Sequence, residues 1–280
     1  MKILFPTDFS EAADNAYVYA LRLADALDAE IDTLHVYDLP ALKGVHLPNT
    51  LNKVYEEITF ESFENYKDHI PHLRQIAQAH NMSHIVCHHS LVQSKKVGVI
   101  ATIVGKAKQM EADFIVMGTT GASGLKEVFL GSVAAEVLEN SSCPVMAVPH
   151  AARFDGKMDK IAFATDYHEL DKSTLKSAAN FASWFDTELD VVHIDTTHTE
   201  PYTAGMYKFL ETIEGLPSIR PHIIDHTSIE EGLVQFLEEN NTDILAMRIK
   251  KRNFIQELFT YSMTKKMANH MRIPVLGLHS

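Results

Sequence analysis

The 280-residue chain is predicted to be an α/β protein built from two similar domains, and three observations predict this. Short apolar runs alternate with amphipathic helical stretches, which indicates a parallel sheet covered by helices on both faces. The pattern restarts just past the middle of the chain, so the second half repeats the first. The chain is also long enough to bury two hydrophobic cores.

Each element of the first half is predicted from its local pattern. Apolar runs bounded by polar or glycine-containing segments indicate strands, and apolar residues recurring on one face at helical spacing indicate helices. The predicted strands are Lys2 to Thr7, Ile31 to Tyr37, Ser83 to His89, Phe114 to Met117 and Pro144 to Val148. The predicted helices are Ser10 to Leu27, a long aromatic-rich segment that follows an Asp38 to Asn49 loop and ends near His80, Val97 to Met110, and a helix entered at Val133.

The repeat sets the domain organisation. Residues 2–9, KILFPTDF, are echoed 158 positions later by KIAFATDY, and residues 112–117, ADFIVM, are echoed 130 positions later by TDILAM. The first half therefore carries 28 additional residues, which we assign to the region between Asp38 and His80. The predicted domains are residues 1–149 and 160–280, joined by a linker at 150–159.

Composition excludes several classes of function. With 25 Lys and Arg against 37 Asp and Glu, the net charge is −12, which disfavours nonspecific binding to nucleic acid or to an anionic membrane. No apolar run approaches the roughly 18 residues of a membrane span, and the N-terminus is typical of a first strand rather than of a signal peptide. Cys87 and Cys143 are expected to be free thiols in a reducing cytoplasm.

The segment DFIVMGTTGASGLKEVFLGSV, from Asp113 to Val133, combines a strand, a glycine-containing loop and a helix start. Glycines let the backbone turn and let a ligand approach, and unpaired amides at a helix N-terminus favour anions. Ser132 is expected to cap the helix. The segment matches neither a Walker loop nor GxGxxG, so a phosphate site and a flexible connection both remain open interpretations.

With its glycine segment and its repeat, the chain resembles the universal stress protein family in its tandem form. The family's nucleotide signature is a glycine, two residues, a glycine, nine residues, then a glycine and a serine or threonine, here Gly118, Gly121, Gly131 and Ser132. Residues 6–10, PTDFS, and residues 143–145, CPV, are also similar to family members. The resemblance implies two Rossmann-like domains of the adenine nucleotide alpha hydrolase type. Each would hold a five-stranded parallel sheet of order 3-2-1-4-5 with helices on both faces.

The resemblance further implies that the first domain binds ATP, or AMP or ADP, with Mg²⁺ as an optional companion, in the crevice between strands 1 and 4. Asp8 and Val36 would hold the adenosine, and the glycine loop with Ser132 and Val133 would hold ribose and phosphates. A helix cap is the alternative role for Asp8. The residues assigned to the site are Pro6, Thr7, Asp8, Val36, Met117, Gly118, Gly121, Gly131, Ser132 and Val133.

The family also pairs domains through the last strand of each sheet. The resemblance therefore implies that Pro144 to Val148 and Pro274 to Leu278 pair within this chain as an internal pseudo-dimer, which would cover two sheet edges. An unidentified protein partner and a homodimer are further expectations.

The chain departs from the family pattern in two places. Residues 92–98, VQSKKVG, lack the usual Gly-x-Pro element. In the second half, Arg248, Lys251 and Tyr261 replace the three signature glycines, and only Ser262 matches. Side chains at positions 248 and 251 disfavour a positive φ, so the second half is predicted not to bind ATP. The basic cluster Arg248, Lys250, Lys251 and Arg252 is interpreted as a solvated face, with an anion site or contact with a carboxylate of the other half as alternatives.

No catalytic or metal-binding residues are predicted. His69 and His72 are three apart, but Pro71 argues against a shared helix face. His35 and His193 occupy equivalent positions and are expected to form core hydrogen bonds. The predicted function is regulatory nucleotide binding with at most slow ATP hydrolysis. The alternatives are a nucleotide-free interaction scaffold and an adenylating enzyme.

Overall fold

The structure is a computed structural model that describes residues 1–39, 48–94, 97–119, 131–154, 157–197, 201–213, 215, 218–249 and 272–279. The strands are β1 Lys2–Pro6, β2 Glu30–Tyr37, β3 Cys87–Gln93, β4 Phe114–Gly118, β5 Val145–Val148, β6 Ile161–Ala164, β7 Leu189–Asp195, β8 Ile219–Asp225, β9 Ile244–Arg248 and β10 Val275–Leu278. The helices are α1 Glu11–Leu27, α2 Pro48–Ala79, α3 Gly98–Met110, α4 Ser132–Asn140, α5 Asp171–Ser183, α6 Pro201–Glu211 and α7 Ile229–Glu239.

Within these residues, the strands form one sheet in the order β3-β2-β1-β4-β5-β10-β9-β6-β7-β8. Each half is parallel and has the order 3-2-1-4-5, which confirms the predicted fold class. The halves join through β5 and β10, which pair antiparallel with Met146 opposite Leu276. The expected pairing of the two closing strands within one chain is therefore present.

The core explains why the strands are apolar on both faces. Ile3 and Phe5 pack in a cluster with residues of α1 and α5, whereas Leu4 between them packs in a second cluster with residues of α3, α4 and α7. All three side chains are completely buried, and each such burial contributes about 1.5–3 kcal/mol. This burial on both faces holds β1 in the middle of the first half, with its carboxyl end beside that of β4.

The third strand lies later than predicted. The pattern placed it at Ser83 to His89, but β3 runs from Cys87 to Gln93. Asn81 adopts a left-handed φ of 60° and ends α2, and Met82 N–H then donates to Ala77 O. The turn that follows α2 uses the first residues of the predicted strand.

The additional residues of the first half lengthen one helix. Helix α2 has 32 residues where its counterpart α6 has 11, which agrees with the predicted location. Tyr66 anchors α2 to the sheet by donating from Oη to Thr33 O at 2.6 Å, and burial raises the pKa of Tyr66 to about 12. In the part of the chain that the structure describes, no helix combines the length and apolar character needed to cross a membrane.

Candidate functional site

A cavity of about 480 Å³ lies at the carboxyl ends of β1 and β4, where the strand order of the first half reverses. Such a reversal opens a crevice in parallel α/β sheets. Nine of the ten residues assigned to the site line this cavity, and Gly121 lies outside the described residues. The lining residues are Pro6, Thr7, Asp8, Ala13, Leu34, His35, Val36, Val99, Ile103, Met117, Gly118, Thr119, Gly131, Ser132, Val133 and Ala134.

Gly118 ends β4 close to the backbone at the start of helix α1. A Cβ atom added at this position would lie 3.1 Å from the Ala12 carbonyl oxygen, closer than ordinary contact. The expected requirement for a positive φ is wrong at Gly118, because among described glycines only Gly98 and Gly215 have one. The small size of Gly118 matters for proximity to α1, and a larger residue would fill the crevice or displace the helix.

Helix α4 begins directly at the cavity. The cap residue is Gly131, with extended backbone and no side-chain cap, so the expectation that Ser132 caps this helix is wrong by one residue. Gly131 N–H donates to Thr119 O at 2.5 Å, which joins the chain across residues 120–130. The first turn of α4, Ser132 to Ala134, lines the cavity, and the unpaired amides and helix dipole of a helix start favour an anion there.

Asp8 lies exposed at the end of β1. Its Oδ1 accepts hydrogen bonds from Ser10 N at 3.2 Å and Ser10 Oγ at 2.6 Å. Ser10 in turn caps α1 by accepting from Ala13 N at 3.2 Å. The alternative role of Asp8 as the helix cap is therefore wrong, because Ser10 is the cap and Asp8 orients it.

His35 was expected to serve the core, and it also lines the cavity. Its Nδ1 donates to Thr7 O at 2.9 Å, and its ring stacks on Phe9 at 4.2 Å between centroids. Burial lowers the pKa of His35, so the imidazole is neutral near physiological pH. With the proton on Nδ1, Nε2 is left as an acceptor. His193 repeats the hydrogen bond in the second half, with Nδ1 2.9 Å from Thr165 O.

Thr119 is a lining residue that the sequence argument missed. It is 1% exposed, and its Oγ1 is buried without a hydrogen-bond partner. A buried hydroxyl without a partner is unfavourable, which is typical of a position that a ligand completes. Its place directly after Gly118 is the signal that could have identified it.

The second crevice is built differently at the same place. Arg248 occupies the position of Gly118, and its Nε donates to Asp171 Oδ1 at the start of α5. The two side chains are 9% and 1% exposed, and Thr165 Oγ1 donates to Asp171 Oδ2 at 2.9 Å. The interpretation of Arg248 as part of a solvated face is therefore wrong, and the carboxylate belongs to its own half. Lys250, Lys251 and Arg252 lie outside the described residues.

A histidine pair lies beside the first crevice. Pro71 is inside α2 and does not end it, so His69 and His72 share a face after all. Their Nε2 atoms approach the two carboxylate oxygens of Asp14, at 3.4 and 2.7 Å respectively. Burial alone would raise the pKa of Asp14, but the two imidazoles hold it below its usual range. Among the described residues, no group of three or more His, Cys, Asp and Glu side chains is arranged to hold a metal ion.

The fold and the crevice define a class: a tandem α/β protein with a Rossmann-like sheet in each half and a ligand-sized cavity at the reversal point of the first. The model of the universal stress protein family matches residues 1–149 and 157–279. The chain therefore belongs to the universal stress protein family.

Individual relatives agree with this assignment. A universal stress protein of Methanocaldococcus jannaschii is 33% identical over 148 residues, which cover 52% of this chain and 81% of the relative. One from Synechocystis is 24% identical over 287 residues, which cover 98% of both chains. The crystal structure of a universal stress protein from Archaeoglobus fulgidus, 19% identical, has the same fold, with a TM-score of 0.69 over 99% of this chain and 98% of that one.

Proposed function

We propose that the first crevice binds ATP or a related adenine nucleotide, and that the bound nucleotide regulates the protein. The observation that supports this most directly is the 480 Å³ cavity at the β1–β4 reversal, where glycine replaces a side chain and a helix begins. Such a site accepts a planar base at one end and an anion at the other.

The lining residues suit the parts of a nucleotide. Leu34, Val99 and Ile103 form an apolar wall suited to a base, and the Asp8 carboxylate is an acceptor suited to ribose hydroxyls. The amides of Ser132 and Val133, in the first turn of α4, suit the phosphates. Among the described lining residues only Asp8 carries a carboxylate, so a Mg²⁺ ion would be held mainly by the phosphates it accompanies.

A regulatory role fits the chemistry better than rapid catalysis. Hydrolysis of a phosphoanhydride needs a group that orients water and groups that neutralise the developing charge. In this assignment the Asp8 carboxylate accepts from the ribose hydroxyls, and His35 already donates its one proton to Thr7 O, so neither group is assigned to orient an attacking water. The nucleotide would act by favouring one arrangement of the residues around it, and so one partner-binding state.

Calorimetric titration with ATP tests this proposal. The wild type is expected to bind one nucleotide per chain, and Gly131→Tyr, which copies the second half, is expected to abolish binding. Gly105→Ala is the matched control, since its Cβ would meet nothing within 4 Å on the exposed side of α3. Absence of wild-type binding would refute the proposal and favour a nucleotide-free scaffold. Unchanged binding by Gly131→Tyr would refute the site, and turnover well above background would favour an enzyme.

The cellular setting follows as part of the same proposal. Cys87 and Cys143 are both free, and burial raises the pKa of each thiol, which makes them inert in a reducing compartment. We place the protein in the cytoplasm, with a protein partner that reads the nucleotide state. Fractionation of cells that express the full chain, followed by detection of the protein in the soluble cytoplasmic fraction, tests the location.

A further inference from the structure

Asp171 and Arg248 stand at the positions of two residues that leave the first crevice open. The 158-position offset of the early repeat places Asp171 on Ala13, and the 130-position offset of the late repeat places Arg248 on Gly118. The strand registers agree, because Leu4 lies opposite Ile115 in the first half as Ala162 lies opposite Leu245 in the second. Two small residues have thus been replaced together by two charged ones.

We infer that the Asp171–Arg248 ion pair closes the second crevice from within, and that the residues at positions 13 and 118 determine that the first crevice is open. The pair connects the start of α5 to the end of β9, at the two positions where Ala13 and Gly118 line the first cavity. Thr165 Oγ1 donates a hydrogen bond to the second carboxylate oxygen of Asp171 at 2.9 Å. The second half thus has a buried guanidinium and carboxylate at the two positions where the first half has only small residues beside its cavity.

The two charges depend on each other. Either charge alone would be buried without its counterion, which is strongly unfavourable, whereas the paired charges with an additional hydrogen bond to Asp171 are tolerated. The pair therefore persists once it has formed, and a nucleotide would have to break it to enter. The Asp171 carboxylate would also repel phosphates. The part of this inference that concerns nucleotide rests on the proposed function, but the closure itself does not.

Thiol labelling tests the closure without any nucleotide. Met117, which lines the first cavity, and its counterpart Met247 are each changed to cysteine, and iodoacetamide labelling is followed for each peptide by mass spectrometry. The thiol at position 117 is expected to react at least about tenfold faster than the thiol at 247, because only the first crevice is open in the folded state. Equal rates in otherwise wild-type chains would overturn the inference.

Two double substitutions then identify the cause. Asp171→Ala with Arg248→Gly is expected to raise the labelling rate at position 247 toward that at 117. Ala13→Asp with Gly118→Arg is expected to lower the rate at 117 toward that at 247. Unchanged rates in both would show that other residues close the second crevice. Circular dichroism and cooperative melting verify folding, and if one variant does not fold, the other still decides.

The same variants separate this inference from the proposed function. If the wild type binds ATP, Ala13→Asp with Gly118→Arg should abolish binding, while Asp171→Ala with Arg248→Gly should leave the first site unchanged. Retained affinity in the first variant would contradict the assignment of positions 13 and 118. If the wild type binds no nucleotide, the proposed function fails, and the labelling rates still decide whether the ion pair closes the second crevice.

Discussion

The two crevices of this chain have the same strand framework but different residues at two matching positions. Both lie at the carboxyl ends of the first and fourth strands of a 3-2-1-4-5 sheet, and both keep the histidine that donates to the end of the first strand. One has small residues at Ala13 and Gly118, and the other has the buried pair of Asp171 and Arg248. The comparison teaches that the strand order and the histidine contact are kept when a buried ion pair stands in place of two small residues.

The largest expected effect on stability comes from removing one charge of the buried Asp171–Arg248 pair. Arg248→Ala strands the Asp171 carboxylate, which is 1% exposed, and should lower the free energy of unfolding by about 3–5 kcal/mol. Urea denaturation followed by circular dichroism measures this. Lys67→Ala is the control, because Lys67 pairs with Glu64 at the surface and its loss should leave the unfolding midpoint unchanged. Equal midpoints for both variants would show that the Arg248–Asp171 pair does not stabilise the second half.

A smaller effect is expected from a single methyl group in the open crevice. Gly118→Ala places Cβ 3.1 Å from the Ala12 carbonyl oxygen and should destabilise the protein by about 1–3 kcal/mol through overpacking. The same substitution at Gly105, where nothing lies within 4 Å, should stabilise helix α3 by about 0.5–1 kcal/mol. Opposite shifts in the two thermal midpoints are the expected result. A stabilising Gly118→Ala would show that α1 and β4 are not in close contact.

The smallest effect concerns pH and a single histidine of the open crevice. Because burial lowers the pKa of His35 in the folded state, the unfolded chain takes up a proton first as the pH falls below about 6.5. Stability should therefore decrease as the pH falls from 7.5 to 5.5. His35→Asn, which can keep the hydrogen bond to Thr7 O, should reduce that decrease, measured by urea midpoints at both pH values. His89 and His279 shift in the same direction and remain in both proteins, so an unchanged decrease would assign the effect to them.

The sequence predicts what local patterns and the repeat determine. The alternating elements and the repeat predict two α/β halves, whereas the strand order, the pairing of the two closing strands and the grouping of Asp8, Val36 and Ser132 at one crevice are predicted by the resemblance to the family. The position of β3 was missed because Asn81 starts a turn that no apolar pattern reveals. Predictions from apolar patterns fail where the backbone conformation of one residue determines where an element ends.

Contacts between distant residues were harder to predict. Arg248 and Asp171 are 77 positions apart, and a basic residue near other basic residues suggests solvent exposure until the fold brings a carboxylate beside it. The 158-position offset does place Asp171 on Ala13, so comparing helix starts as well as strands would have revealed the pair. Pro71 misled for a related reason, because α2 continues through it and brings His69 and His72 to Asp14.

The antiparallel join between β5 and β10 has a consequence for how the molecule can change. The strands of the two halves run in opposite directions. The carboxyl ends of the strands, where the crevices lie, are therefore on opposite sides of the molecule. Because both copies belong to one chain, their association is unimolecular and independent of dilution. In a dimer of two identical subunits, every substitution would be present twice, once at each crevice. In a single chain, a substitution changes one crevice and leaves the other as it was, so the two ends of the molecule can differ in function.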